Sequence, residues 1–515
     1  MNKTLKTIIS IILRLIFWTA ALGLLFVGIA GKPLTDWYKH TFNTNFREII
    51  YTFGLGLKGA DVSFFREAYA ECRRELLLFI AAAAVCLLII LLLDLLDARQ
   101  RKARGEDRPG AVRAIRLVCR AMILCVGIVL FIPSYGYADE VLNVSGFLKS
   151  RFTNTTIYED NYVSYADASI TEPEKQKNLI LIYMGSMETT YASKDLGGYQ
   201  DENLMPELTK MAHQNVSFGD RGDEKLGGTH NTIGTTWTTS AILASESGVP
   251  FSFRVGRNQA GKGGAFAENL PTLGDFLRDE GYREMFLCGS DSEFGGKKAY
   301  FRQHGDYEIY DYYSAIEDGY IDKDYKVWWG LEDHRLYDIA KDRLAELASS
   351  DKPFNLTMLT VDTHHVGGYE CEWCPDTYDS KTANVVACAD RQIADFISWC
   401  KKQDFYYDTV IVILGDHPRM DKKLVKDVDK YEREAYNCFI NTDKQPSSPG
   451  NRLATTMDLF PTIVSAMGYG IEGDRLGLGT DLFSDKETLA EEMTYDKFVD
   501  EIGKNSKFFH KNFDR

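Results

Sequence analysis

The chain has 515 residues, room for a membrane part plus one large domain, or for two domains. Lys and Arg number 59 against 74 Asp and Glu, and the resulting formal net charge of −15 argues against nucleic acid as the main partner. Ten cysteines in this length are too sparse for a disulfide-built scaffold.

Three apolar runs open the chain: 8–30, broken only by Arg14; 76–97, with Asp94 near its end; and the shorter 117–134. Each approaches the ~20 residues that cross a bilayer as a helix. The first is too long for a cleaved signal peptide, and no clear small-residue cleavage site follows it. Between the second and third runs stand Arg99, Arg101, Lys102, Arg104, Arg108, Arg113 and Arg116. The positive-inside rule places this loop in the cytoplasm, and Lys3 and Lys6 agree. The expectation is a multi-pass anchor over 1–136 in the cell membrane, with everything beyond it extracytoplasmic.

Residues 137–176 are polar and turn-rich, the composition of a linker or a wrapping arm. Four continuous apolar runs follow: Asn178–Tyr183, Glu284–Cys288, Asn355–Val361 and Thr409–Leu414. Apolar runs of this length suit strands buried on both faces. Helical patterns fall at roughly 205–213, 271–280, 334–349, 386–402 and 453–467. Strands alternating with helices predict an α/β domain with a mainly parallel, doubly wound sheet, over 177–485, before a C-terminal tail of 486–515. In such sheets the ligand site lies outside the carboxyl ends of the strands.

Those ends carry chemistry. The first strand runs into Met184-Gly-Ser-Met-Glu188, the third into Asp362-Thr-His364-His365, and the fourth into Gly415-Asp416-His417. Asp416 and His417 offer a carboxylate and an imidazole, a pairing suited to Mn²⁺ or Zn²⁺. His364 and His365 could hold a phosphate oxygen or protonate a leaving group. Lys297 and Lys298 follow Gly295-Gly296, where backbone amides and an ammonium could hold an anion. Between the first two strands, Gly234-Thr-Thr-Trp-Thr238 enters a small-residue helix stopped by Gly248-Val-Pro250. A hydroxyl at a helix start sits in the positive field of the first-turn amides, which favours an anion beside it and eases formation of an alkoxide. The same pattern serves as a Thr-rich N-cap.

Six segments, in order, resemble the membrane-anchored phosphoglycerol transferases, relatives of lipoteichoic acid synthase in the sulfatase and alkaline phosphatase superfamily. They are Asn178–Glu188, Gly234–Ser245 with Gly248-Val-Pro250, Phe294–Lys297 with His304-Gly305, Thr360–His365, Thr409–His417 and Leu476–Gly479. The likeness covers about 176–485 and is nearest to the enzymes that place phosphoglycerol on glucans. It implies Thr238 as a nucleophile on a divalent ion, Mn²⁺ first and Zn²⁺ or Mg²⁺ as alternatives, with Asp416 and His417 as metal ligands. It implies His364 at the phosphate or its glycerol, and Lys297 where the lipoteichoic enzymes carry an arginine. The implied donor is phosphatidylglycerol, and the implied acceptor a hydroxyl of a glycan or polymer, reached through a phosphoglycerol-threonine intermediate. One position departs from the pattern: Gly185 stands where the family has a metal-ligand glutamate, which leaves weak metal binding, recruitment of water or Glu188, or an inactive form.

Two other readings accompany this one. The same fold supports phosphoethanolamine transfer or sulfatase-type hydrolysis, although no Cys/Ser-x-Pro-x-Arg nucleophile segment stands at 238. A catalytically silent, membrane-tethered binding protein draws its support from Gly185. Cys371, Cys374 and Cys388 follow the His pair, and the expectation is a disulfide of Cys388 with one of the others. A Cys-x-x-Cys zinc knuckle is the alternative, without a second pair at zinc spacing.

Overall fold

The computed structural model describes residues 3–42, 44–55, 63–104, 111–253, 266–426 and 432–514. The chain separates into two compact units, Met1–Arg47 with Asp61–Phe147, and Glu48–Ala60 with Leu148–Arg515.

The first unit contains three long helices, α1 (Lys3–Phe42), α2 (Ser63–Arg104) and α3 (Ala111–Leu142). Each contains a stretch long and apolar enough to cross a membrane: Ile11–Phe42, Phe65–Arg99 and Ala114–Leu142. All three extend beyond the predicted runs, since polar residues continue the helix past its apolar part. Helix α1 packs against α3 through small residues. A Cβ on Gly28 would stand 2.6 Å from Leu130 Cβ and one on Gly31 2.5 Å from Ser134 Oγ, so these glycines let the two backbones approach closely. Ser134 Oγ donates to Val27 O at 2.7 Å, so the hydroxyl is satisfied inside the helix pair. Arg116 of α3 pairs with Asp94 of α2, which neutralises two charges beside apolar surface. Arg108 of the predicted cytoplasmic loop lies outside the described residues.

The second unit is built on a six-stranded sheet. Its strands are β1 (Asn178–Met184), β2 (Arg283–Cys288), β3 (Glu308–Tyr310), β4 (Phe354–Leu359), β5 (Thr409–Gly415) and β6 (Asn437–Ile440), in the spatial order β3-β2-β4-β1-β5-β6. All neighbours are parallel except β5 and β6. The apolar runs work as expected, by serving two cores at once. Leu179, Leu181 and Tyr183 of β1 enter one hydrophobic cluster, whereas Ile180, Ile182 and Met184 enter the other. Burying each such side chain contributes about 1.5–3 kcal/mol, which favours this register over a one-residue slip.

Helices α4 (Pro206–Gln214), α5 (Thr238–Ser247), α6 (Leu273–Asp279), α7 (Lys297–Gln303), α8 (Asp333–Ala348), α9 (Lys381–Cys400) and α10 (Leu459–Ala466) accompany the sheet. Residues 137–176, expected as a linker, are more ordered than that. Helix α3 runs on to Leu142, the segments Val144–Phe152 and Ile157–Asn161 are helical, and Ile170–Thr171 pairs antiparallel with Gly470–Ile471. The C-terminal residues are likewise structured: three short helices, Leu489–Met493, Tyr495–Gly503 and Lys507–Asn512, bury Phe498, Ile502 and Phe509 in the first core cluster together with Phe513.

Candidate active site

Four adjacent parallel strands, β2, β4, β1 and β5, end on the same edge, and the loops leaving them carry the predicted residues. Asp416 follows β5 directly and is buried. Its Oδ1 accepts from the Ser186 N–H and the His417 N–H, both at 2.7 Å, which fixes the carboxylate plane. Its Oδ2 accepts from Thr238 Oγ1 at 2.8 Å. His417 Nδ1 lies 2.9 Å from Pro418 O, a carbonyl that can only accept, so the neutral ring carries its proton there. The bare Nε2 then faces Asp416 Oδ2 at 3.4 Å. Two electron-pair donors facing each other at this distance, with the Thr238 oxygen beside them, form a donor set that a hard or borderline divalent cation would satisfy.

Thr238 is the first residue of α5. Among the threonines of its segment, Thr235 is fully buried and bonded to Thr232, and Thr239 is buried. Thr238 stays partly accessible and carries the bond to Asp416. Asn231 braces the arrangement by donating both to Thr235 O at 2.7 Å and to Asp416 O at 3.0 Å.

Residue 185 contributes no donor. Its N–H points to Thr360 Oγ1 at 3.3 Å, and an added Cβ would stand 2.8 Å from Thr360 O. The neighbouring Ser186 adopts a left-handed φ of 56° and buries its hydroxyl without a hydrogen-bond partner among the described residues. Recruitment of Glu188 is not what the structure shows. That carboxylate is fully buried in a bidentate pair with Arg433 and also accepts from the Arg419 N–H. The guanidinium holds it because a buried carboxylate needs a full counter-charge.

His364 and His365 stack with ring centroids 4.4 Å apart. His364 Nδ1 donates to His365 O at 2.6 Å, which leaves Nε2 as an acceptor. Burial holds its pKa down to about 4, and burial depresses His365 as well. Both rings are therefore neutral at pH 7. In that state His364 accepts a proton or a hydroxyl hydrogen bond, whereas protonating a leaving group would require the cation that burial disfavours.

Lys297 is buried at the start of α7, and its Nζ donates to Phe294 O at 2.7 Å; burial lowers its pKa. Gly295 and Gly296 are both left-handed, and a Cβ on Gly295 would stand 2.7 Å from Thr239 Oγ1, so this loop abuts the start of α5. Phe294 in turn contacts Trp329 with centroids 5.2 Å apart, and Trp329 contacts His364 at 5.0 Å. An aromatic chain thus joins the lysine loop to the histidine loop. Lys298 instead pairs with Glu293 at 3.4 Å.

Sequence reasoning missed Arg419, Asn231 and Trp329. Arg419 is fully buried, donates to Thr363 O at 2.7 Å and pairs with Asp421 at 2.8 Å, and so fastens the histidine loop to the loop after His417. Its signal was a lone arginine two residues beyond an Asp-His pair. Asn231 and Trp329 sit in loops without periodicity and gave none.

The three cysteines after the His pair are free thiols, contrary to the expected disulfide. Among the described residues, groups of three or more acidic, His or Cys side chains with converging ligand atoms are Cys371–Cys374–Cys388 and Asp220–His230–Glu432.

Several known proteins are similar to this chain. Phosphoglycerol transferase I of Xanthomonas euvesicatoria pv. vesicatoria is 30% identical over 317 residues, 60% of this chain and 43% of that protein. Phosphoglycerol transferase I of Salmonella choleraesuis is 29% identical over 372 residues, 71% of this chain and 45% of that protein. The chain therefore spans less than half the length of the curated relatives it matches. In fold it resembles the integral membrane lipooligosaccharide phosphoethanolamine transferase A from Neisseria meningitidis, with TM-score 0.50, 13% identity, and coverage of 87% of this chain and 84% of that one. The sulfatase family profile matches residues 177–469, more than half of the chain and all four strands that frame the site. The chain belongs to the sulfatase family, within the alkaline phosphatase superfamily.

Proposed function

We propose that this chain transfers phosphoglycerol from phosphatidylglycerol to a hydroxyl of an extracytoplasmic glycan or polymer. One observation carries the reading: an accessible threonine hydroxyl at a helix start, bonded to Asp416 at 2.8 Å beside His417, in a chain related to phosphoglycerol transferases. Asp416, His417 and Thr238 Oγ1 would hold a divalent ion, Mn²⁺ by this donor set, which when bound lowers the pKa of the hydroxyl and draws charge from the phosphate.

Thr238 Oγ, losing its proton to solvent, attacks the phosphorus, and its bond to phosphorus forms as the bond to the diacylglycerol oxygen breaks. That oxygen leaves as an alcohol once protonated from solvent. The acceptor hydroxyl then attacks the same phosphorus, and Thr238 recovers its proton. The first-turn amides of α5 favour negative charge at the phosphate through both steps. Neutral His364 offers Nε2 to a glycerol or acceptor hydroxyl. Asn231 and Arg419 position the loops on which these groups stand. The basic residues from Arg99 to Arg116, most of them at the end of α2 and the start of α3, support a cytoplasmic placement for that part of the chain and an extracytoplasmic one for the catalytic unit.

Residue 185 favours one other reading, a silent membrane-tethered binding protein, because it adds no carboxylate to the site. Incubation with labelled phosphatidylglycerol and Mn²⁺, followed by mass measurement of the peptide containing Thr238, separates the two. A phosphoglycerol adduct on Thr238 that disappears when a hydroxyl acceptor is added supports transfer. Unmodified peptide together with unchanged lipid refutes it.

A further inference from the structure

The loop after His365 folds back so that Cys371, Cys374 and Cys388 share one point. Cys371 Sγ is 3.7 Å from Cys374 Sγ and 3.8 Å from Cys388 Sγ, and all three sulfurs lie within 4.8 Å of one another. Zn–S bonds of about 2.3 Å at the tetrahedral angle place two sulfurs about 3.8 Å apart. The spacing is thus that of thiolates around one ion, and a single disulfide would leave the third sulfur unused.

Other groups fit the same purpose. His334, in the first turn of α8, stands outside this group of three but beside the same loop, its ring centroid 5.6 Å from that of Trp373, and its Nδ1 is buried without a hydrogen-bond partner among the described residues. The Cys374 N–H donates to Cys371 O at 3.1 Å, which closes the turn between the two sulfurs. Gln392 Nε2 approaches Cys388 Sγ at 3.2 Å and Cys371 Sγ at 3.7 Å, an outer donor that would stabilise thiolate charge. Arg391 holds the knuckle loop through Trp373 O at 2.7 Å.

We infer that Cys371, Cys374 and Cys388 form a site for a soft divalent cation, zinc by its donor set, separate from the Asp416–His417 centre, with a shift of the His334 side chain supplying the fourth donor. Each thiol loses its proton to solvent as its sulfur binds, so three thiolates and a neutral imidazole surround the dication. Four protein donors close the coordination sphere, and the role is therefore structural. The site would fasten three elements: the start of α8, the knuckle loop and α9, which carries Cys388. That fastening reaches the histidine loop. Asp333, next to His334, accepts from the Val361 and Asp362 N–H groups at 2.7 and 2.9 Å, and Asp362 Oδ2 accepts from the Asp333 N–H at 3.0 Å.

The test uses the full chain in detergent, loaded with Co²⁺ or Zn²⁺ after reduction. Expected are an intense sulfur-to-cobalt charge-transfer band and one zinc retained per chain through dialysis. Both should be lost in Cys371→Ser and in Cys388→Ser, and both kept in Asp416→Asn. The three thiols should resist alkylation until a strong chelator is added. His334→Gln should weaken Co²⁺ binding at least tenfold; unchanged binding would remove His334 from the set. A cobalt spectrum without sulfur charge transfer, alkylation at equal rates with and without chelator, or a native disulfide between any two of the three cysteines would each overturn the proposal.

Discussion

Replacing Gly185 with Glu sets two effects against each other. An added Cβ would stand 2.8 Å from Thr360 O, a backbone atom, and 3.8 Å from Thr363 Oγ1. The end of β4 must therefore yield by a few tenths of an ångström, and overpacking of this kind costs about 1–3 kcal/mol. Gly185→Ala meets the same contact without a carboxylate, so it isolates the steric part. For a unit of this size, each kcal/mol lost should lower Tm by about 1–2 °C. The carboxylate of Gly185→Glu adds an anionic donor where the site has only Asp416, and a tenfold gain in Mn²⁺ affinity corresponds to about 1.4 kcal/mol. We expect both variants to melt lower than the parent in the absence of metal. Gly185→Glu alone should bind Mn²⁺ at least tenfold more tightly by calorimetry, recover its Tm when metal is added, and turn over phosphatidylglycerol faster. Equal Mn²⁺ affinity in the Ala and Glu variants would show that residue 185 does not face the ion, and the reasoning about the missing ligand would fall.

Thr238→Ala should abolish lipid turnover at unchanged Tm, with Thr238→Ser retaining part of it; full turnover in the Ala variant would move the nucleophile to Thr236, since Thr235 and Thr239 are buried. Burial pushes the Glu246 carboxyl up to about 8 despite hydrogen bonds from Tyr300 and Tyr183. Its folded pKa exceeds the ordinary 4.5, so its contribution to stability is complete below pH 4.5 and is lost as pH rises towards 8, by at most about 1.4 kcal/mol per unit. Glu246→Gln should accordingly raise Tm more at pH 8 than at pH 5, and a shift of the same size at both would contradict the assignment. Arg433→Ala strands the buried Glu188 carboxylate and should cost about 3–5 kcal/mol by denaturant unfolding, a loss that Glu188→Gln in the same chain should partly reverse. A cysteine placed at the exposed Tyr407 should label from the extracytoplasmic side of sealed vesicles, and labelling from the cytoplasmic side alone would invert the proposed topology.

Much of the central sheet could be read from residue order, because a strand buried on both faces leaves an unbroken apolar run. β1, β2, β4 and β5 all carry such runs, and their carboxyl ends locate the site. The edge strands escaped because β3 has three residues and β6 four, too few to show a pattern. β6 also runs antiparallel, which no local feature of Asn437–Ile440 specifies. The residues with direct chemistry stood out because Asp, His and Thr are unusual after apolar strands. Their supports did not, since Asn231 and Arg419 act through contacts across long sequence separation. Glu188 shows the reverse error. Its place near the site suggested a ligand, yet a partner 245 residues away, Arg433, occupies its carboxylate. Pairing of that kind is a property of the folded chain and leaves no mark on the local sequence.

The C-terminal helices have a consequence for where the folding unit ends. The family match stops at residue 469, but Phe498, Ile502, Phe509 and Phe513 lie in the same core cluster as Leu179 and Val410 of the central sheet. Phe509 packs edge-on against both Tyr158 and Phe253. The last thirty residues therefore close the hydrophobic core from the side opposite to sequence order, with the chain's end meeting the segment that leads into its first strand. A fragment cut at the boundary of family similarity would expose these aromatic partners to water, so the unit that similarity recognises is shorter than the unit that folds.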